Sequence, residues 1–410
     1  MKNVFNSLIF LLLSILSFNT ASAYDLSGTV LYQGDATRPI NNVSVALKNI
    51  GNNSIQTFTT GGNGFYQFTN VPNGSYILSG TTSLPGGGVT LYDAALVFLH
   101  MLGYYQYTPL QFLASDVDGS GTITWTDYNM IIYHILVGTP FPVGPWRFET
   151  SVFAITNLKD GVPHGLSGTC SGDIGGTFVP TTNTTPALPL AQEGILNITT
   201  GKPFTTNILT QDELLITGAG LIINFPSELL QVESVEFKGV DFQYNIKDGQ
   251  IRLIWGNPNT TPLHFKEGES FVTIHGLSTS SFSQGMKAGL SLDGDCSILN
   301  TSNQEMTNLH FASPVIEYGN PSLKISNFPN PFSNSTKISI STPVQGTATI
   351  EIFAASGQLV KSLSVGNMDS GYHEVNIDAS TMAQGYYLCK TSIDTGTTII
   401  SNTIRILKSR

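Results

Sequence analysis

The sequence predicts a mainly β protein: three β-sandwich modules, with one small α-helical module between the first and the second. Three observations carry this. Forty-one Gly and twenty Pro are spread evenly through 410 residues, which marks many turns between short strands. Apolar and polar side chains alternate with period two over most of the chain, and the period becomes helical, twice, only between residues 85 and 148. Charged residues make up 11 % of the chain, against about 25 % in an ordinary soluble domain. At about 100 to 200 residues per domain the length allows two to four modules. The net charge of −10, with no basic stripe, argues against nucleic acid or an anionic membrane as a partner.

Residues 1–23 read as a Sec signal peptide: Met1-Lys2-Asn3 is the basic start, Leu8 to Leu16 the apolar stretch and Ala21-Ser22-Ala23 the cleavage site. The mature chain is expected to begin at Tyr24. No later segment supplies the 18 or so apolar residues of a spanning helix, so a secreted or cell-surface location is expected, with no membrane span.

Residues 24–82 carry runs such as Val43-Ser44-Val45-Ala46-Leu47, broken by turn tripeptides. The stretch Gly61-Gly62-Asn63-Gly64-Phe65-Tyr66-Gln67-Phe68, continuing through Val71-Pro72-Asn73-Gly74-Ser75-Tyr76, resembles the carboxypeptidase regulatory-like and collagen-adhesin B-type repeat. That resemblance implies a rigid spacer sandwich without catalysis.

In residues 83–180, Val89 to Gly103 and Ile123 to Gly138 form an internal repeat of 34 residues, aligning Asp93 with Asp127 and His100 with His134. Two paired helices ended by Gly are expected. Before the second stands Asp116-Val117-Asp118-Gly119-Ser120-Gly121. With Asp116 as loop position 1, oxygen donors fall at Asp118, Ser120, the Thr122 carbonyl, Thr124 through water, and Asp127 at position 12, with Gly121 at the sharp turn. This is the spacing of an EF-hand-type calcium loop. The Asp at position 12, the short helix and the tandem repeat resemble a dockerin module. In the first copy loop positions 1, 3 and 5 align with Thr82, Leu84 and Gly86, so one bound Ca2+ is expected. Positions 10 and 11, which in dockerins choose the cohesin partner, are Trp125 and Thr126 in one copy and Leu91 and Tyr92 in the other; their apolar character suits a permanent internal contact. Pro140 to Phe148 and Gly172 to Pro180 are similar to segments that follow this dockerin in Bacteroidetes-type secreted proteins, where the second reads GDVNG. Gly175 replaces the Asn, which puts an auxiliary role for Asp173 in doubt.

Residues 181–190 read as an extended Thr/Asn/Pro linker. In residues 191–316, strand-like runs at Gly220 to Phe225, Val232 to Phe237 and Gln250 to Trp255 look like a cohesin-related or carbohydrate-binding β-sandwich. In residues 323–410, Asn327-Phe328-Pro329-Asn330-Pro331-Phe332, Gly371-Tyr372-His373 and Gly385-Tyr386-Tyr387 resemble the C-terminal sorting domain of type IX secretion. That implies recognition by the outer-membrane secretion machinery, with glycines at hairpins and the paired tyrosines filling the sandwich.

Catalytic constellations are weak. Gly168-Thr169-Cys170-Ser171-Gly172 has the spacing of a nucleophile elbow, yet the residues after it break helices. The seven histidines form no HExxH, and Asp293 and Asp295 suit a hairpin cap. Cys170, Cys296 and Cys389 are too far apart for a zinc site, and an odd number leaves a free thiol. Trp255 and Trp146 are candidate sugar platforms. The function expected is non-enzymatic: calcium-dependent assembly or adhesion, with a cohesin-like module in the same chain or another as partner. The alternative is a carbohydrate-binding accessory to polysaccharide breakdown.

Overall fold

The computed structural model describes residues 24–156, 164–180, 187–256, 261–319 and 322–409. The signal-peptide segment and positions 181–186 of the expected linker lie outside them. Strands make up 51 % and helices 8 % of the described residues. Among the described residues no helix is long and apolar enough to cross a membrane. Two compact units are formed, one by the chain up to Ser83 with Phe148–Gly168, the other by Leu84–Arg147 with Thr169–Arg410.

The first unit begins with β1 (Tyr24–Tyr32), β2 (Val43–Asn49), β3 (Ile55–Thr59), β4 (Phe65–Val71) and β5 (Gly74–Thr82). The helices α1 (Leu91–Met101), α2 (Pro109–Ser115) and α3 (Trp125–Val137) come next along the chain and belong to the second unit. After them come β6 (Trp146–Phe148), β7 (Ser151–Ile155) and β8 (Leu166–Cys170). Two sheets of order β3-β2-β5-β7 and β4-β1-β8-β6 result. The alternation buries Val43, Val45, Leu47 and Leu78 of one sheet and Tyr66 and Phe68 of the other. Gly28 is required by contact: a Cβ there would lie 2.0 Å from the His164 carbonyl oxygen. Residues 83–180 are therefore divided rather than one module. β7 pairs with β5 and β8 runs parallel to β1, covering edges that would otherwise present unpaired backbone groups.

In the second unit a sandwich is built from β9 (Leu190–Ile198), β10 (Pro203–Thr210), β11 (Leu214–Asn224), β12 (Leu230–Glu236), β13 (Gln243–Lys247) and β14 (Gln250–Gly256). It continues through β15 (Leu263–Phe265), β16 (Ser270–Ser278), β17 (Lys287–Ala288), β18 (Ser291–Leu292), β19 (Ser297–Asn300) and β20 (Phe311–Tyr318). One sheet runs β12-β16-β10-β20-β17 with β9 on β20, the other β13-β14-β11-β15 with β18 and β19 on β11. Phe237 and Phe271 stand edge to face at 5.2 Å in their shared core.

The C-terminal sandwich comprises β21 (Lys324–Phe328), β22 (Ser335–Thr342), β23 (Gly346–Ala354), β24 (Leu359–Met368), β25 (Gly371–Asp378), β26 (Gly385–Asp394) and β27 (Ile399–Lys408). Its sheets are β21-β22-β25 and β24-β23-β26-β27. The expectation that both paired tyrosines fill this sandwich fails for one. Tyr387 points inward and Tyr386 is 57 % exposed, because neighbours on a strand face opposite sides. Gly371 and Tyr372 serve the preceding sandwich as well. Asn207 Nδ2 donates to the Tyr372 carbonyl at 2.9 Å, and the Tyr372 ring lies over Gly194, where a Cβ would come within 2.1 Å of it. Lys337 Nζ reaches Gln211 Oε1 at 2.9 Å, Glu374 Oε2 at 3.1 Å and Glu267 Oε1 at 3.5 Å.

Candidate functional site

Both long helices begin with the same device. Thr90 and Thr124 are N-caps in extended backbone, and Asp93 and Asp127 reach back from the third helical position to complete capping boxes. α3 ends on Gly138 at φ +77°, a left-handed position that favours glycine. The 34-residue repeat persists down to single contacts. His100 Nδ1 meets the Tyr105 carbonyl at 2.9 Å and His134 Nδ1 the Thr139 carbonyl at 2.7 Å, and since a carbonyl only accepts, each Nδ1 carries the proton. Each imidazole also stacks on a ring seven residues on, Tyr107 at 3.8 Å and Phe141 at 4.5 Å. Burial lowers the pKa of His134. These contacts give both histidines a packing role. The sequence reading lacked α2, which starts at Thr108-Pro109 with its own capping box to Gln111.

The loop before α3 brings Asp116, Asp118 and Asp127 together, with one carboxylate oxygen of each within 4.8 Å of the others. Asp127 is fully buried and Asp116 is 4 % exposed. Asp127 Oδ1 accepts from Val117 N–H at 3.1 Å and Asp118 N–H at 3.4 Å, and its Oδ2 from Thr124 N–H at 2.9 Å. Burial, partly offset by those amides, raises the Asp127 pKa; the Ser120 amide at 2.8 Å lowers that of Asp118. Asp116 Oδ2 accepts from Gly121 N–H at 3.2 Å, while its Oδ1 is buried with no hydrogen-bond partner. Ser120 Oγ donates to the Thr122 carbonyl at 3.0 Å. Thr124 Oγ1 accepts from Thr126 N–H at 3.1 Å as a helix cap, so this hydroxyl is engaged within the protein. The donor set is hard oxygen throughout, which fits Ca2+. A buried carboxylate oxygen without a donor is a costly arrangement that a divalent cation would relieve.

The first copy has a counterpart loop that sequence alignment placed wrongly. Asp173-Ile174-Gly175-Gly176-Thr177-Phe178 stands to α1 as Asp116-Val117-Asp118-Gly119-Ser120-Gly121 stands to α3. Phe178 N–H donates to Asp173 Oδ2 at 3.0 Å, as Gly121 N–H does to Asp116. Gly175 N–H donates to Asp93 Oδ1 at 2.7 Å, as Asp118 N–H does to Asp127. Gly176 and Gly119 share positive φ, +70° and +76°, and Ile174 and Val117 are both fully buried. The loop for α1 therefore comes from downstream of the repeat, not from Thr82, Leu84 and Gly86. The signal for it was the match of DIGGT to DVDGS. Burial, and then the neighbouring Asp173, raise the Asp93 pKa well above its ordinary value.

The helices pack on the β13-β14-β11-β15 sheet. A Cβ on Gly220 would stand 2.9 Å from Leu91 Cβ, and one on Gly218 3.0 Å from Leu91 Cδ2, so two glycines of β11 clear a seat for Leu91. Ile254 and Leu299 join the helical core there. Tyr92 N–H donates to Ser297 Oγ at 3.3 Å and Gly88 N–H to Asp295 Oδ1 at 3.0 Å. At the other end Arg252 Nη1 donates to the Ile135 carbonyl at 3.1 Å and Asn245 Nδ2 to the Leu136 carbonyl at 3.3 Å. These bonds satisfy the last turn of α3 and set a cation against its negative end. The two pairs expected at one internal contact thus part company: Leu91 and Tyr92 lie in it, whereas Trp125 is 55 % exposed and Thr126 faces solvent.

Two other candidates are corrected, and a third reading is met. Trp255 is 7 % exposed and lies 5.6 Å from Phe237 in the sandwich core, so it offers no sugar a face. Trp146 is 8 % exposed, its Nε1 donating to the Leu84 and Pro85 carbonyls at 3.0 and 3.2 Å. Cys170 is a buried thiol outside any disulfide, and its strand runs into a turn, without the helix an elbow needs. Cys296 and Cys389 are buried and outside any disulfide as well, and burial pushes their thiols up to about 12 and about 11.

Residues 326–405 match the family model of the secretion system C-terminal sorting domain, and residues 25–83 that of the carboxypeptidase regulatory-like domain. No curated protein matches the chain. Among solved structures, the sixth cohesin of scaffoldin B from Acetivibrio cellulolyticus, in complex with a dockerin, is 15 % identical. The alignment covers 33 % of this chain and 100 % of that one at a TM-score of 0.26. A cohesin–dockerin complex from Clostridium thermocellum is 15 % identical, with coverage of 32 % and 98 % and a TM-score of 0.26. The major pilin subunit of Bacillus cereus is 8 % identical, covering 95 % and 96 % at a TM-score of 0.27. Likeness at these scores carries no argument about partners. The chain is a modular protein with a type IX sorting tail for secretion and cell-surface attachment, and its matched domains are of non-catalytic types.

Proposed function

We propose that this secreted protein is a non-enzymatic assembly or adhesion element whose dockerin-like helical pair is a calcium-set internal brace on its own cohesin-like sandwich. The observation that carries the reading is the convergence of Asp116, Asp118 and Asp127 around the unpartnered buried Asp116 Oδ1. Those three carboxylates would hold one Ca2+, with the Thr122 carbonyl and the Ser120 hydroxyl as further oxygens. A bound Ca2+ neutralises the carboxylates. The chain's own residues then do the bracing: the loop amides fix Asp127 at the start of α3, and the apolar faces of α1 and α3 stay seated on β11, β14 and β19.

Calcium titration calorimetry on the mature chain tests this, beside an Asp116→Ala/Asp127→Ala variant. One equivalent of Ca2+ that disappears in the variant supports the brace, as does a melting temperature raised by calcium. At 100 times the dissociation constant the expected stabilisation is about 2.7 kcal/mol. No heat and no melting shift up to millimolar calcium, the weak end of extracellular sites, would overturn it. The rival reading, carbohydrate binding, would have to use rings other than Trp255, such as the exposed Trp125 and Tyr133.

A further inference from the structure

The sheet β21-β22-β25 turns its outer face toward the preceding sandwich and does not close on it. Ile325, Ile338, Ile340 and Ile377 pack into the core of the C-terminal sandwich, so the residues between them on each strand face outward. Two cross-strand rows result: Phe328, Lys337 and Asn376, and beside it Ser326, Ser339 and Glu374. The contacts of Tyr372 with Gly194 and Asn207 join the two sandwiches at one end of this face. Next to that junction a cleft of about 610 Å3 remains, lined by the two rows and by Glu193, Gln211 and Glu267 of the preceding sandwich. Small-ligand sites span about 300 to 1,000 Å3.

Part of the lining is already engaged. Lys337 Nζ is held by Gln211, Glu267 and Glu374, and Glu374, its side chain 5 % exposed, also accepts from Tyr372 Oη at 3.0 Å. The rest is not: the side chains of Glu193, Ser326, Ser335 and Asn376 make no hydrogen bond among the described residues, and Phe328 is 80 % exposed. We infer that this cleft is a saccharide site that takes the end of a neutral glycan, with a sugar ring on Phe328 and its hydroxyls on Asn376, Ser326, Ser335 and Glu193. Three features select that ligand. A pyranose has an apolar ring face and a rim of hydroxyls that both donate and accept, and the cleft offers an aromatic ring beside an amide, hydroxyls and a carboxylate. An apolar ligand would bury these polar groups without partners. The carboxylates of Glu193, Glu267 and Glu374 against the one ammonium of Lys337 leave a surplus of negative charge, which repels phosphate, sulfate and uronate groups. The cleft shares no residue with the Asp116 loop, so the site and the calcium brace stand or fall separately.

The test applies the mature chain to an array of immobilised neutral, uronic and sulfated oligosaccharides. The neutral saccharide retained most strongly is then titrated by calorimetry into wild type, Phe328→Ala, Asn376→Asp and, for the rings on α3, Trp125→Ala/Tyr133→Ala; melting temperatures confirm that each variant folds. Wild type is expected to retain neutral saccharides and pass over the acidic ones. Phe328→Ala should lose about tenfold or more in affinity with the ring stack gone, Asn376→Asp should weaken binding less, and the α3 variant should bind as wild type. Retention of no saccharide, or of acidic ones alone, overturns the site. So does neutral binding that survives Phe328→Ala intact or disappears in the α3 variant.

Discussion

The two halves of the helical repeat use the same parts to different ends. Around α3 the loop is continuous with its helix, presents three carboxylates and leaves Asp116 Oδ1 buried without a donor. Around α1 the loop arrives from residues 173–178, Gly175 and Thr177 stand where Asp118 and Ser120 stand in the other half, and Thr90, Gly175, Thr177 and Phe178 all donate to the two acids. One frame therefore serves ion coordination where polar demand is left over, and protein cross-linking where backbone amides fill it. Position 10 separates the halves again: Leu91 is buried on the sandwich, while Trp125 meets Phe98 and Tyr128 edge-on at 5.9 and 5.5 Å and stays exposed.

The largest effect expected is for Leu91→Ala. It empties the seat made by Gly218 and Gly220 and should cost about 3 kcal/mol in chemical denaturation; a loss below about 1 kcal/mol would remove the internal contact from the comparison. Asp93→Ala strips the acceptor from Thr90 and Gly175 and should cost about 2 kcal/mol, equally with calcium and with chelator. Asp127→Ala should instead erase the difference between those two conditions. Glu305 sharpens the contrast through pH. Burial and then Asp173 push its carboxyl up to about 7, so the stability it contributes is full below its unfolded value near 4.5 and is lost as pH rises through about 7. Glu305→Gln should therefore raise the free energy of unfolding at pH 8, by on the order of 1 kcal/mol after screening, and leave it unchanged at pH 4, as chemical denaturation at the two pH values reads. The smallest effect is for Trp125→Ala, within about 0.5 kcal/mol; a larger loss would place this ring in a contact of its own.

Much of this was legible along the chain. The mainly β architecture followed from alternation and turn residues, the sorting tail and the regulatory-like repeat from their motifs, and the Asp116 to Asp127 loop from spacing, because all its members lie within 12 residues. The counterpart loop was not legible in the same way. Asp93 and Asp173 are 80 positions apart, and a local alignment of the repeat looks for partners where the chain is contiguous.

What the sequence by itself determined is therefore local: strand period, helix caps at Thr90 and Thr124, the left-handed Gly138 and the oxygen spacing of the second loop, each set by backbone geometry over a few residues. Tertiary structure alone decided which apolar residues are seats and which are surface. Leu91 and Trp125 occupy the same place in the repeat, and Trp255 sits on a strand as any exposed platform would. Their fates depend on whether a sheet with two bare glycines, open solvent or a cluster of phenylalanines lies opposite, and burial of that kind is a property of the assembled faces rather than of the residue.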